Sequence, residues 1–140
     1  MVAPCAILGD SLAGGVAAFR PECLADTEVG ISTSAYLRAH TTAVDADTVL
    51  ISLGVNDDEI DAGTADRLAG LRMRITATRV FWMLPARPET SRRIIRDIAH
   101  AFGDRLIETR GYTGRDGLHL SGVCARNGAG DNPGEADLPN

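Results

Sequence analysis

The sequence predicts a three-layer α/β domain on a mainly parallel, five-stranded sheet of flavodoxin-like order. Three observations predict it. Five short stretches read as strands along the 140 residues, three of them apolar runs of the kind that fill buried strands. Stretches with helical spacing of apolar residues separate them, the pattern of strands joined by crossover helices. Three of the runs stop at Gly9, Gly54 or Pro85, where an extended chain gives way to a turn.

Each element has its own local reason. Ala3–Leu8 (APCAIL) is a continuous apolar run closed by Gly9 and reads as the first buried strand. Leu12–Phe19 is small and apolar, a helix that ends before Pro21. Thr27–Val29 gives a short second strand leading to Gly30. Ser32–His40 suits a helix with Ser32 or Thr33 as N-cap. Thr48–Leu53 (TVLISL) is rich in β-branched residues and reads as the third strand. Thr64–Thr76 reads as a helix capped by Thr64, with Leu68, Leu71, Met73 and Ile75 as its apolar positions. Arg79–Leu84 (RVFWML) is the fourth strand, and at least one of Phe81 and Trp82 belongs to the core. Ser91–Phe102 is a helix with Ile94, Ile95, Ile98 and Phe102 near one stripe. Arg105–Thr109 is the fifth strand. A Gly-rich loop over 110–118 and a last short helix from Ser121 to Arg126 complete one domain spanning 1–126. Residues 127–140 have the composition of a flexible tail.

Composition narrows the chemistry. The chain holds 14 Arg, no Lys and 19 acids, for a net charge of −5. Without Lys there is no pyridoxal Schiff base, no Walker-type phosphate lysine and no Ser–Lys dyad. A receiver domain, similar in length, uses a lysine near its last strand and is excluded on the same ground. The charge is unevenly spread. Residues 1–65 hold 2 Arg against 10 acids, residues 66–115 hold 11 Arg against 5 acids, and the remainder 1 Arg against 4 acids. A net acidic chain is a poor nucleic-acid binder, but the basic middle suits an anionic polymer such as a glycan. Cys5, Cys23 and Cys124 are odd in number and widely spaced, so free and mostly buried thiols are expected. The N-terminus MVAPCAILGDS lacks a basic region and a long apolar stretch, so no signal peptide is expected. No apolar run approaches a membrane span. A cytoplasmic location, or release by another route, is the corresponding expectation.

Four segments fall at predicted strand ends or in the terminal loop, where a parallel α/β sheet places its ligands. Gly9-Asp10-Ser11-Leu12 follows the first strand and opens a helix, exposing the Ser11 hydroxyl at the sheet edge. Gly30 follows the second strand and lets the backbone approach a ligand with its N–H. Gly54-Val55-Asn56-Asp57 follows the third strand and offers the neutral amide donor of Asn56. Asp116-Gly117-Leu118-His119 places an Asp three residues before a His, within reach of its ring. Each alone has an ordinary structural explanation as a cap, a turn or a surface loop. Together, in this order, they supply a nucleophile, oxyanion donors and an oriented base.

With these four blocks in hand, the chain resembles the SGNH hydrolase family, also called GDSL esterases/lipases. Gly9-Asp10-Ser11-Leu12 matches the GDSL block letter for letter, Gly30 the glycine of the second block, Gly54-x-Asn56-Asp57 the GxND block and Asp116-x-x-His119 the DxxH block. The resemblance runs from about residue 3 to residue 124. It implies Ser11 as nucleophile, His119 as general base and Asp116 as the group that orients it. It also implies an oxyanion hole of the Ser11 and Gly30 backbone N–H groups and the Asn56 side-chain amide. Asp10 and Asp57 are expected to support the Ser11 turn and the Asn56 loop. The chain is short for this family, which implies an open, shallow site suited to short acyl esters or to acyl groups on a polymer. Compact relatives occur in bacterial and phage genomes, which keeps open a cell-wall role as an O-deacetylase or lytic enzyme. A glycan-binding module with a silent triad is the reading from another class.

Other residues carry weaker signals. Arg87, in the loop after the fourth strand, and Tyr112 and Arg115, just before Asp116, are candidates to line the pocket. His40 and His100 sit near predicted helix C-termini, where a cation is favourable. Asp57, Asp58, Glu59 and Asp61 lack EF-hand spacing and read as an acidic helix entrance. No metal and no cofactor is expected.

Overall fold

The computed structural model describes residues 2–57 and 62–111. In chain order the elements are β1 (Ala3–Gly9), α1 (Ser11–Ala17), β2 (Leu24–Thr27), α2 (Thr33–Ala39), β3 (Val44–Ser52), α3 (Ala62–Met73), β4 (Ile75–Thr76), β5 (Arg79–Leu84), α4 (Glu89–Phe102) and β6 (Arg105–Glu108). Every strand pairing is parallel, in the order β2-β1-β3-β5-β6, with β4 paired to β3. The fold is the expected α/β class, with six strands where five were expected.

The extra strand is a short one. β4 and β5 lie against β3 in one unbroken register, Ile75 opposite Val44 and Arg79 opposite Thr48. The Thr78 N–H donates to the Asp47 carbonyl across the gap (3.0 Å). β4 and β5 are therefore two pieces of one line, and the five lines follow the flavodoxin order. The helix expected over Thr64–Thr76 stops at Met73, because Ile75 and Thr76 pair with Val44 and Asp45 instead. Tertiary pairing overrides a helical pattern here. The second strand lies at Leu24–Thr27, ahead of the expected Thr27–Val29, because Glu28–Ile31 close a turn. β3 begins at Val44, four residues early, where β4 offers it a partner.

Strand alternation divides the core in two. Val80, Trp82 and Leu84 of β5 pack with Leu8, Val49 and Ile51 beneath Tyr36 of α2, Leu68 and Leu71 of α3, and Ile95 and Ile98 of α4. Phe81 and Met83 face the other way, with Ile7, Leu50 and Ile107 against Leu12, Ala13 and Val16 of α1. Both Phe81 and Trp82 are buried. A period of two along a strand buried on both faces explains why RVFWML reads as a continuous apolar run. Burying a side chain of this size stabilises the fold by roughly 1.5–3 kcal/mol each before entropy is subtracted.

The expectation of free thiols is corrected at two positions, since Cys5 and Cys23 form a disulfide. The cause is register. β1 and β2 pair with Ala6 opposite Leu24, so Cys5 and Cys23 occupy the preceding cross-strand position, with Cα atoms 4.7 Å apart. That separation lies within disulfide reach. Cys124, the Gly-rich loop beyond Gly111, the last short helix and the tail over 127–140 lie outside the described residues. Among the described residues, no helix is long and apolar enough to cross a membrane.

Candidate active site

The carboxyl ends of the three strands β2, β1 and β3 stand level, with Gly9 opposite both Thr27 and Ser52. The chain leaves each strand at this edge. Two residues past Gly9 comes Ser11, three past Thr27 comes Gly30, and four past Ser52 comes Asn56. Adjacent strands thus deliver three of the expected site residues to one sheet edge.

Ser11 is the first residue of α1 and is half-buried. Asp10 is the helix N-cap, its Oδ1 accepting from the Leu12 N–H at 3.0 Å. The same oxygen accepts from Ser52 Oγ at 3.0 Å, and the Asp10 N–H donates to the Ser52 carbonyl at 2.9 Å. Asp10 is fully buried. Gly9 makes this approach sterically possible. Its φ is +133°, and a Cβ at this position would lie 1.8 Å from the Ser52 carbonyl oxygen.

Gly30 is the third residue of a four-residue turn closed by the Ile31 N–H donating to the Glu28 carbonyl (3.4 Å). Its φ of +76° is the value a type II turn demands at that position. Among the described residues, a Cβ there would meet nothing within 4 Å. Val29 beside it is 84% exposed.

Asn56 is tied to this turn directly. Its Nδ2 donates to the Ile31 carbonyl at 3.1 Å. An amide nitrogen has two hydrogens, so this bond fixes the side chain and leaves a second donor. Asp57 adds a parallel tie, its Oδ1 accepting from the Thr33 N–H at 2.7 Å. The 54–57 loop and the 30–33 segment are therefore stitched together over the end of β1. From behind, Ser91 Oγ of α4 donates to the Gly54 carbonyl at 2.7 Å. The N-terminus of α2 is further secured by Ser32, whose Oγ accepts from the Ala35 N–H at 3.2 Å. Its C-cap is His40, as the sequence suggested, and His40 Nδ1 lies 2.7 Å from Asp26 Oδ2 of β2. Tyr36 stacks on the His40 ring, and burial, with the nearby Asp26 charge, pushes the Tyr36 hydroxyl above the usual tyrosine range.

The neighbouring edge is braced by charge. Buried Arg92 of α4 grips Glu108 of β6 with two hydrogen bonds of 2.8 and 2.6 Å. It also donates to the Pro85 carbonyl at 2.7 Å. Arg110 donates to the Ala86 carbonyl and to Glu89, each at 2.9 Å. These contacts clamp the 85–88 loop, which presents Arg87 exposed to solvent. Burial opposes ionisation of Glu108, but hydrogen bonds from Arg92 and from the Arg110 and Thr109 backbone outweigh it and hold its carboxyl below the usual range.

Tyr112, Arg115, Asp116 and His119 lie outside the described residues, as do Asp58, Glu59 and Asp61. Among the described residues, no three His, Cys, Asp or Glu side chains converge where a cation would sit. Sequence reasoning missed Ser52, Ser91, Arg92 and Glu108. Ser52 sits inside an apolar strand, a place where a buried hydroxyl calls for a partner; that signal was present in TVLISL.

No family model matches the chain, and no curated protein sequence matches it. Among solved structures, the chain is similar to the C-terminal catalytic domain of Streptococcus pneumoniae peptidoglycan O-acetyltransferase A carrying a methylsulfonyl adduct. The TM-score is 0.48 at 15% identity, over 74% of this chain and 63% of that one. The chain thus spans less than two thirds of that domain's length.

Proposed function

We propose that this chain is a serine hydrolase that cleaves short-acyl esters through an acyl-enzyme. One observation carries the reading: Ser11, the Gly30 turn and Asn56 reach one sheet edge, with Asn56 bonded to the carbonyl next to Gly30. The sequence resemblance supplies the remaining parts, His119 and Asp116.

The chemistry follows. A neutral serine is a weak nucleophile and needs a base at hydrogen-bond reach. The Ser11 hydroxyl attacks the ester carbonyl and gives its proton to His119, which Asp116 orients. The charge that builds on the carbonyl oxygen is met by the Ser11 and Gly30 N–H groups and by the second Asn56 amide hydrogen. Such a preorganised donor is worth about 3–4 kcal/mol in the transition state. The alcohol leaves with the proton from His119, and water, activated in the same way, releases the acid.

A second reading keeps this chemistry and makes an acylated cell-wall glycan the substrate. Two observations favour it. Arg79, Arg87, Arg93, Arg96, Arg105 and Arg110 of the basic stretch are exposed, which suits an anionic polymer. The Cys5–Cys23 disulfide suits an oxidising compartment outside the cytosol.

The test is labelling and turnover together. The protein is incubated with a fluorophosphonate and with an aryl acetate. Ser11 is expected to take the label, and Ser11→Ala to lose both label and turnover. Turnover unchanged in Ser11→Ala would sink the reading. Acetate released from O-acetylated peptidoglycan favours the glycan substrate. Inertness toward esters and glycans alike would favour a binding module.

A further inference from the structure

We propose that Ser52 is a positioning residue for the nucleophile, acting through the carboxylate of Asp10. Ser52 is the last residue of β3 and is 1% exposed. Its hydroxyl donates to Asp10 Oδ1 at 3.0 Å, and that oxygen also receives the Leu12 N–H at 3.0 Å. The Ser52 carbonyl receives the Asp10 N–H at 2.9 Å. One residue of β3 thus holds both the backbone and the side chain of the residue preceding Ser11. Gly9 admits the contact, since a Cβ there would collide with that same carbonyl.

The consequence is geometric. Ser11 lies between Asp10 and Leu12, and both neighbours are fixed through one carboxylate oxygen. The Ser11 N–H is also an expected oxyanion donor, so the turn sets the direction of nucleophile and donor at once. Asp10 is fully buried, so no solvent replaces the hydroxyl if it is lost. Loss of the hydroxyl removes one of the bonds that orient this carboxylate, so the peptide planes on either side of Ser11 are expected to shift. Displacement of this order costs catalysis far more than it costs binding. The same bond joins the turn to the strand that leads to Asn56, which keeps nucleophile and amide donor in one frame.

The kinetic arm of the test rests on the ester-hydrolysis reading; the spectroscopic arm does not. Ser52→Ala is compared with Ser52→Thr, which keeps the hydroxyl, and with Ser91→Ala, which removes a buried hydroxyl bonded elsewhere. Ser52→Ala is expected to lower kcat on an aryl acetate by about tenfold or more while KM changes less than about threefold. Fluorophosphonate labelling of Ser11 slows in proportion, and Ser52→Thr recovers most of the rate. In amide NMR spectra the Ser11 and Leu12 resonances move in Ser52→Ala and stay in place in Ser91→Ala. If Ser52→Ala fails to fold, Ser52→Cys, of similar volume and a weak donor, takes its place. Lowered thermal stability with unchanged kcat and labelling would show a purely structural bond and overturn the proposal. If the wild type neither turns over nor labels, the ester reading falls and the amide arm decides. Unmoved Ser11 and Leu12 resonances then reject the proposal, and moved ones retain only the part in which Ser52 sets the Ser11 turn through Asp10.

Discussion

Gly9 and Gly30 both have positive φ, yet their substitution by alanine has different consequences. At Gly9 a Cβ meets backbone at 1.8 Å, and backbone cannot swing aside as a side chain can. Gly9→Ala is expected to cost about 3 kcal/mol or more, through strain and displacement of the Ser52 carbonyl. At Gly30 no described residue lies within 4 Å, so the expected penalty is that of the left-handed conformation, about 1–2 kcal/mol. Urea unfolding of the two variants separates these cases, and equal losses would contradict the close packing at Gly9. Alanine at Gly30 keeps the N–H, so turnover is expected to survive there. Asn56 behaves differently again. Asn56→Ala removes one hydrogen bond to Ile31, worth about 1 kcal/mol of stability. It also removes the proposed oxyanion donor, for which a loss of about 10²–10³ in kcat is expected. A stability loss without that kinetic loss would reduce Asn56 to a loop tie.

At the scale of elements, two cross-links brace the sheet away from the Ser11 turn. The Cys5–Cys23 disulfide joins β1 to the entrance of β2 and closes a loop with a sequence separation of 18. A loop of that length is stabilised by about 3 kcal/mol when closed. Unfolding by urea with and without reductant is expected to differ by that amount, and Cys5→Ser with Cys23→Ser is expected to match the reduced protein. On the other side, the Arg92–Glu108 pair joins α4 to β6. The Glu108 carboxyl is held below its usual range, so the pair contributes stability above the unfolded glutamate value and loses it as pH falls through the lower folded one. Thermal unfolding followed from pH 7 to pH 3 should show this acid limb flattened in Glu108→Gln; an unchanged limb would assign the acid sensitivity elsewhere. Most elements were legible in the sequence because their cause is local: apolar runs for β1, β3 and β5, a Ser32 cap for α2, apolar spacing for α4. What was illegible has a non-local cause. β4 exists because Val44 and Asp45 need a partner, Cys5 meets Cys23 because of the β1–β2 register, and Arg92 meets Glu108 across sixteen residues. The site was legible in the same sense. Ser11, Gly30 and Asn56 follow strands whose order the alternating pattern predicted, whereas Ser52 and Ser91 meet Asp10 and Gly54 through contacts that only the packed sheet reveals.

At the scale of the molecule, and among its described residues, the basic stretch of the chain remains at the surface after folding. The stretch over 66–115 supplies exposed arginines on α4 (Arg93, Arg96), at the starts of β5 and β6 (Arg79, Arg105) and on the loops at their far ends (Arg87, Arg110). The first 65 residues, with 2 Arg against 10 acids, supply the Ser11 turn and the Gly30 and Asn56 segments, the proposed nucleophile and oxyanion donors. A uniformly acidic protein would repel an anionic polymer from every direction. On the proposed glycan reading, the basic side is expected to draw such a polymer through Arg87 and Arg110, which follow the carboxyl ends of β5 and β6 at the sheet edge that also carries Ser11, Gly30 and Asn56. Exposed charges act over about 8–10 Å at ordinary salt, and added salt screens them. Charge steering raises association and leaves the chemical step alone. A neutral aryl acetate is therefore expected to turn over at the same rate from about 50 to about 500 mM salt, where the screening length shrinks several-fold. On an acetylated anionic glycan, kcat/KM is expected to fall several-fold across the same range while kcat holds. Arg93→Glu with Arg96→Glu should reproduce that fall at low salt without touching the aryl acetate. Equal salt dependence for the two substrates would mean that the basic surface plays no part in finding substrate.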